Sequence, residues 1–526
     1  MKKNIIFHPW LFALVPILGL FEHNQDIASA YYLPKPMLLN LLFVTALFFI
    51  LNIFIKNKNK SAIVVSLFII SFFFFDLLLI LLFSINSILP LGAIFYDALS
   101  LLIYIITILG LSFVIITSPY QLNNPTIILN FFAGVVLFLQ LINIANYQYQ
   151  NIKNQSDASN LITPLKTTTK TENITNEKLP DIYYIILDAY GREDTLKNIY
   201  NYDNSNFISF LEDKGFYVAK KSQANYNQTF LSMASSLNIN YIDDLVENID
   251  TQSSDRAILK KILKENITQK YLKERGYFIT SFPSQWEGIY KNTQADLTIT
   301  TNLKQNNFDA MLIKKTPLVL FLPAIQIKDL AIYTNNVLGQ IPAIAKIDKP
   351  TFSYIHILAP HTPFLFEADG QIANSISGCM EGTDGSHYFA SCPGIEKYQK
   401  KYIAQLAYIN QKIENIINEL LEKSDIPPII ILQADHGPGS MLDWDSAENT
   451  NLPERFQILN AYYVPEQNKK MLYSSISPVN SFRIIFNYLF QDNLPLLEDR
   501  HFFATWSKPY QFIDISEKLI QSPNEE

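Results

Sequence analysis

The sequence predicts a chain of two halves: about five transmembrane helices, then an α/β domain built on a mostly parallel central sheet. Three observations predict it. Apolar stretches crowd the first 150 residues, two later apolar runs each end on an aspartate, and units of helix, glycine and strand lie between those runs. The runs are Asp181-Ile-Tyr-Tyr-Ile-Ile-Leu-Asp188 and Pro428-Ile-Ile-Ile-Leu-Gln-Ala-Asp435-His436. Strands that are apolar on both faces belong inside a sheet covered on both sides, and such sheets place their chemistry beyond the carboxyl ends of the strands. Asp188, Asp435 and His436 are therefore candidates for one metal site.

Charge divides the chain in the same place. The first 150 residues hold 6 Lys, no Arg and 4 Asp or Glu, whereas the remaining 376 hold 35 basic and 44 acidic residues. An acidic domain without basic runs argues against nucleic acid as a partner. The apolar stretches cover about 9–22, 36–55, 61–83, 94–117 and 126–145, and the last four have spanning length. The first is short and contains Pro16; a retained helix is preferred over a signal peptide, because Glu22-His-Asn-Gln is a poor cleavage site. Lys2 and Lys3, and then Lys56, Lys58 and Lys60, fall on one side if every stretch crosses; that side is the cytoplasm, and residues beyond 146 leave on the outer face. Asp76 and Asp97 lie in or beside apolar spans, a placement that invites a transport reading. Being isolated, they are expected to be interfacial or packed against polar groups such as Tyr96. The resulting layout is a transmembrane domain over 1–146, a polar linker over 147–178 and an outer domain over 179–526.

Within the outer domain, a helix at about 205–213 stops at Gly215 and leads into the strand 216–219. A second helix at 267–275 stops at Gly276 before the strand 277–281, the α-to-β half of an α/β unit in both cases. Pro317-Leu-Val-Leu-Phe-Leu-Pro323 is either a buried helix or a surface resting on lipid. A strand at 351–358, a long helix at about 396–423 with apolar residues at helical spacing, strands at 428–434 and 456–464, and a helix at 479–490 complete the pattern. Both cysteines, Cys379 and Cys392, fall in the loop 367–394, which in an outward-facing domain points to a loop-closing disulfide.

Three of the seven histidines fall in or just beyond predicted strands: His356, His361 and His436. His361 sits between Ala359-Pro360 and Thr362-Pro363, a stiff turn that aims its ring, while His436 precedes the turn Gly437-Pro-Gly439. A hydroxyl is supplied by Thr229, in the first turn of a helix with an apolar face at Phe230, Met233, Ala234 and Leu237. A helix N-terminus offers N–H groups to an anion, and a divalent cation on the hydroxyl oxygen would deprotonate it.

These residues resemble the alkaline phosphatase superfamily, most closely its membrane-anchored, sulfatase-like branch of lipoteichoic acid synthases and phosphoethanolamine transferases. The resemblance implies five N-terminal helices and an extracytoplasmic α/β domain on the outer side of a bacterial inner membrane. It implies Asp188, Asp435 and His436 as ligands of one divalent cation, Zn or Mn, with Thr229 as both ligand and nucleophile. It gives His361 contact with the phosphoryl group or with a second metal. His356 and Arg192, the latter close in sequence to Asp188, are placed at the substrate, with a core histidine and a surface salt bridge as their respective alternatives. Relatives often have Glu where this chain has Asp188. Phosphoethanolamine transferases carry a further His after the late motif, which 439–445 lacks, so a second metal stays open. The formylglycine pattern of true sulfatases is absent around Thr229. The implied activity is transfer or hydrolysis of phosphodiester headgroups through a phosphothreonine, with a membrane phospholipid or lipid-linked glycan as substrate. A sulfatase-like ester hydrolase and a non-catalytic membrane assembly protein are the alternatives.

Overall fold

The computed structural model describes residues 5–25, 30–86, 93–158, 179–246, 250–282, 294–299, 307–320, 323–373, 383–389, 392 and 394–520. The chain forms two compact units, one of residues 1–153 with 304–326 and one of 154–303 with 327–526.

Helices cover all five apolar stretches of the first unit: α1 (His8–His23), α2 (Pro34–Ile55), α3 (Lys58–Phe73) with α4 (Phe75–Asn86), α5 (Ala93–Thr117) and α6 (Asn123–Ala158). The expected count of five spans is nevertheless corrected. Among the described residues, three helices are long and apolar enough to cross a membrane, or four if α3 and α4 form one broken span. Helix α1 has 16 residues, about 24 Å at helical rise, against a hydrocarbon core of about 30 Å. Helices α3 and α4 bend by 49°. The Ser71 hydroxyl, just before the break, donates back to the carbonyls of Leu67 and Phe68, an arrangement that loosens and bends helices. Large apolar side chains such as Leu42, Phe54, Leu109, Phe113 and Phe131 point outward along α2, α5 and α6, as a lipid-facing surface requires.

Polar bonds fix the ends of these helices. Lys60 Nζ donates to the carbonyls of Ile116 and Ser118, and Asn59 donates to Asn123, so the 57–60 turn, the end of α5 and the start of α6 lie together. Asp76 has a partner as well: its carboxylate lies 2.5 Å from Lys315 Nζ. The helix Asn307–Lys314 and the 3-10 turn Pro317–Leu320 belong to this unit, where Phe308 is buried with Ile17, Leu20 and Phe21. The Asp97 side chain lies outside the described residues.

The second unit contains a seven-stranded sheet: β1 (Ile182–Leu187), β2 (Tyr217–Val218), β3 (Phe278–Phe282), β4 (Leu297–Thr298), β5 (Thr351–Ile357), β6 (Ile429–Gln433) and β7 (Asn460–Tyr463), in the order β2-β7-β6-β1-β5-β3-β4. The five strands from β6 to β4 are parallel, and β7 and β2 extend the edge in antiparallel fashion. Every residue of β1, β5 and β6 is buried, in keeping with the apolar run of β1 and the Ile-rich start of β6; Thr351, Ser353 and His356 of β5 are buried with them. One face carries Tyr183, Ile185, Leu187, Ile430 and Leu432 and packs with Leu406, Ile409 and Ile413 of the helix Ile395–Lys423. The other carries Ile182, Tyr184, Ile186 and Ile431 and packs with α9 (Thr229–Asn238) and the helix Pro478–Phe490. Between β1 and α9 come α7 (Glu193–Tyr200) and α8 (Ser205–Asp213). The strand expected over 456–464 is shorter than read, because Leu452–Phe456 is helical: Pro453 occupies its first turn and the Asn451 side chain accepts from the Glu454 N–H. Cys392 is buried; Cys379, and with it the expected disulfide, lies outside the described residues.

Ile185 sits at 0 % exposure on the central strand. Ile185→Ala should lower stability by about 2–5 kcal/mol, read as a lower urea midpoint of the detergent-solubilised chain.

Candidate metal centre

Strand register builds the site. Ile186 of β1 lies beside His356 of β5 and beside Gln433 of β6. Side chains two apart on a strand share a face, so Asp188 and Asp435, each two residues further on, emerge together at the carboxyl ends of β1 and β6, on the face that carries α9. The Asp188 N–H donates to the Ile357 carbonyl and extends the ladder. The Ala189 N–H donates to Asp435 Oδ1 at 3.2 Å, which orients that carboxylate.

His436 completes the cluster: ligand atoms of Asp188, Asp435 and His436 all lie within 4.8 Å of one another, and all three residues are buried. His436 Nε2 is 3.3 Å from Asp435 Oδ2 and 3.7 Å from Asp188 Oδ1. Its Nδ1 lies 3.0 Å from the Gly437 carbonyl. A carbonyl only accepts, so Nδ1 carries the hydrogen and a neutral ring presents the Nε2 lone pair. Gly437 is required here, since a Cβ would lie 2.0 Å from the Glu454 carbonyl oxygen.

Thr229 Oγ1 lies 3.1 Å from His436 Nε2. Thr229 is the first residue of α9, and it alone is only half-buried in the otherwise buried run 224–239. The N-cap residue Gln228 does not cap the helix; its amide donates to the carbonyls of Ala504 and Thr505. The hydroxyl is thus left facing the cluster.

His361 is tied in through its backbone, whose N–H donates to the Asp188 carbonyl at 3.1 Å. Its ring centroid is 6.2 Å from that of His436. Nδ1 meets the Thr362 carbonyl at 2.8 Å, and Nε2 faces Asp384 Oδ2 at 3.5 Å. Burial disfavours the charged ring, but the carboxylates of Asp188 and Asp384 outweigh it and raise His361 to about 9. Burial likewise opposes ionisation of Asp188, yet the imidazoles of His361, His356 and His436 hold it down at about 2. His436 is lowered, by burial first and then by the Arg455 guanidinium.

The sequence reading placed His356 and Arg192 at the substrate. His356 Nε2 lies 3.2 Å from Asp188 Oδ2, and its side chain has 0 % exposure. Arg192 stands at the N-terminus of α7, where its guanidinium engages the Asp194 carboxylate and the Ser222 carbonyl. Two residues were missed. Asp384, held well below the usual carboxylate range by Arg455 and His361 despite burial, pairs with Arg455 at 2.5 Å. Both side chains have 1 % exposure. Asp384 falls in the loop that the cysteines made look like a staple. Arg455 follows Glu454 as an ordinary charged doublet, and the only hint of its burial is the apolar run that comes next.

The donor set fits a divalent cation. Asp188 Oδ1 and Asp435 Oδ2 are buried and accept no hydrogen bond, and two such oxygens side by side demand a counter-charge. Two carboxylates, an imidazole lone pair and a hydroxyl suit Zn or Mn.

Fold and site together define a metal-dependent hydrolase or transferase domain. The chain belongs to the sulfatase family, whose profile matches residues 167–467, and so to the alkaline phosphatase superfamily. Among solved structures it is similar to the zinc complex of the C-terminal periplasmic domain of EptC from Escherichia coli, at 13% identity and TM-score 0.44, over 69% of this chain and 98% of that one. It is also similar to the integral membrane lipooligosaccharide phosphoethanolamine transferase A from Neisseria meningitidis, at 13% identity and TM-score 0.41, over 92% and 95% of the two chains. The periplasmic domain of the phosphoethanolamine transferase EptC from Campylobacter jejuni follows at 10% identity and TM-score 0.37, over 61% and 92%. None of these similarities is close enough to carry a substrate or a residue's role across. No curated protein sequence matches the chain significantly.

Zn²⁺ or Mn²⁺ at a hundred times its Kd should stabilise the chain by about 2.7 kcal/mol, read as a rise in thermal midpoint. Asp435→Asn should abolish most of that rise.

Proposed function

We propose that the protein is a metal-dependent transferase or hydrolase of phosphodiester headgroups on lipid- or envelope-linked substrates, working through a phosphothreonine on Thr229. The observation that carries this reading is the half-buried Thr229 hydroxyl, 3.1 Å from His436 Nε2 at the edge of a buried Asp, Asp, His cluster. Asp188, Asp435, His436 and Thr229 would hold one cation, which when bound lowers the pKa of the hydroxyl and withdraws charge from the phosphoryl oxygens.

The rest is the work of the chain. Thr229 Oγ, having lost its proton to solvent, attacks phosphorus; a new P–O bond forms, the bond to the leaving alcohol breaks, and the phosphoryl group stays on Thr229 with its other alcohol still esterified. The N–H groups at the start of α9 face the phosphoryl oxygens. His361 gives its Nε2 proton to the departing alkoxide or steadies a non-bridging oxygen. An acceptor hydroxyl, or water, then attacks the phosphorus, its proton passing to His361, and Thr229 leaves as the alkoxide that takes up a proton from solvent. His356, on the buried side of Asp188, steadies that carboxylate. Arg192, engaged with Asp194, would reach a substrate only by exchanging that partner.

Helix orientation supports an outer catalytic unit. The start of α6 lies with Lys56, Lys58 and Lys60, which the positive-inside rule puts in the cytoplasm, so the helix runs outward toward Ala158. A catalytic unit anchored in this way meets substrates that live in the membrane or envelope.

Thr229→Ala should abolish turnover while leaving stability within about 0.5 kcal/mol of the parent; mass spectrometry of the quenched parent should find Thr229 carrying a phosphoryl group still esterified to the retained alcohol, and an active Thr229→Ala chain would refute the assignment. The carboxylates of Asp188 and Asp384 raise His361 to about 9 in the metal-free site, and a cation on Asp188 removes part of that rise. The kcat/KM profile of the metal-loaded chain should therefore have its basic limb below about 9, and His361→Gln should remove the limb.

A further inference from the structure

Arg455 bonds the backbone on both sides of the gap between Thr229 and His436, and the carboxylate that faces His361. Its Nε donates to the Asn227 carbonyl at 2.9 Å, two residues before Thr229. Its Nη1 donates to the Gly437 carbonyl at 3.1 Å, one residue after His436, and to Asp384 Oδ2, the oxygen that faces His361 Nε2. Its own carbonyl accepts the Gly437 N–H at 2.7 Å, so Gly437 is gripped at both backbone groups. Asn227 is fixed from its other side, where its side-chain amide exchanges two hydrogen bonds with the Ala504 backbone.

We infer that Arg455, with Asp384 as its counter-charge, is a positioning residue that sets the separation between the backbone carrying Thr229 and the backbone carrying His436. The inference rests on the function proposed above. A guanidinium is a rigid plane with donors at fixed angles, so two carbonyls bound to one plane keep a fixed spacing; an ammonium is a point charge on a flexible stem and imposes none. A buried ion pair is weak evidence of a contribution to stability, because apolar side chains of equal volume often replace it without loss. What an apolar pair does not replace is the hold on the Asn227 and Gly437 carbonyls. Groups that orient metal ligands from behind are worth about 10–100-fold in metal affinity, and a misplacement of about 1 Å costs about 100-fold in rate.

The test uses the full-length chain in detergent, with three variants: Arg455→Lys, Asp384→Asn and the paired Arg455→Met/Asp384→Leu. Mn²⁺ and Zn²⁺ affinity is read from metal-dependent thermal midpoints, and turnover from bis(p-nitrophenyl) phosphate. In variants that fold, metal Kd should rise about 10–100-fold and kcat should fall about 100-fold while KM stays within about threefold. A folded Arg455→Lys or paired variant with parental metal Kd and kcat would overturn the inference. Loss of folding in all three would assign the pair to fold maintenance, and would overturn it too. Parental turnover by Thr229→Ala would strike the proposed chemistry instead, leaving the metal-affinity result to judge Arg455 alone.

Discussion

Two carboxylates buried side by side are the constraint on which this structure depends. The register of β1 with β6 places Asp188 and Asp435 at adjacent strand ends on one face, and an oxygen of each accepts no hydrogen bond. Two buried anions this close call for positive charge beside them. His361 supplies part of it, His356 and His436 stand against the same carboxylates, and the Thr229 hydroxyl faces the cluster from the start of α9. A fold that needs a cation to balance its own interior has a metal site as a condition of its packing.

Outside that shell a second balance holds. His361 gains positive character from Asp188 and Asp384, and Asp384 is in turn matched by Arg455. Charge alternates outward from the centre through side chains on separate segments, which adds an electrostatic link between them to their local backbone bonds. The aromatic packing of Trp444 over Arg455, with the ring centroid 5.2 Å from the guanidinium carbon, closes the network against solvent.

The strands that form the heart of the sheet were legible because they are apolar on both faces; no surface segment reads Ile-Tyr-Tyr-Ile-Ile-Leu. Asp188, Asp435 and His436 were legible for the same reason, being polar groups at the ends of such runs. Thr229 could be found only because its helix has a clear apolar face. Arg455 and Asp384 were not legible, since a buried charge is known by its partner, and the two lie 71 positions apart, one in a short helix and one in a loop, both of ordinary composition. The number of membrane spans was misread for a different reason. Hydropathy registers apolar length but not the bend at Phe74, which comes from a side-chain hydroxyl competing for backbone carbonyls. The edge strand before Val464 was over-extended because Phe456-Gln-Ile-Leu alternates like a strand, whereas Pro453 and the Asn451 cap hold its first residue in a helix.

The segment 304–326 gives the architecture a practical side. It is threaded through the sequence of the sheet-bearing unit, yet Phe308 is buried among residues of α1, and Lys315 is paired with Asp76. A soluble fragment cut at the linker would carry the helix Asn307–Lys314 away from the helices of the first unit that shelter it. Such a fragment would present Phe308, Met311 and Leu312 to water as a sticky patch, and excising or recoding these few residues is the rational route to a well-behaved crystallisation sample.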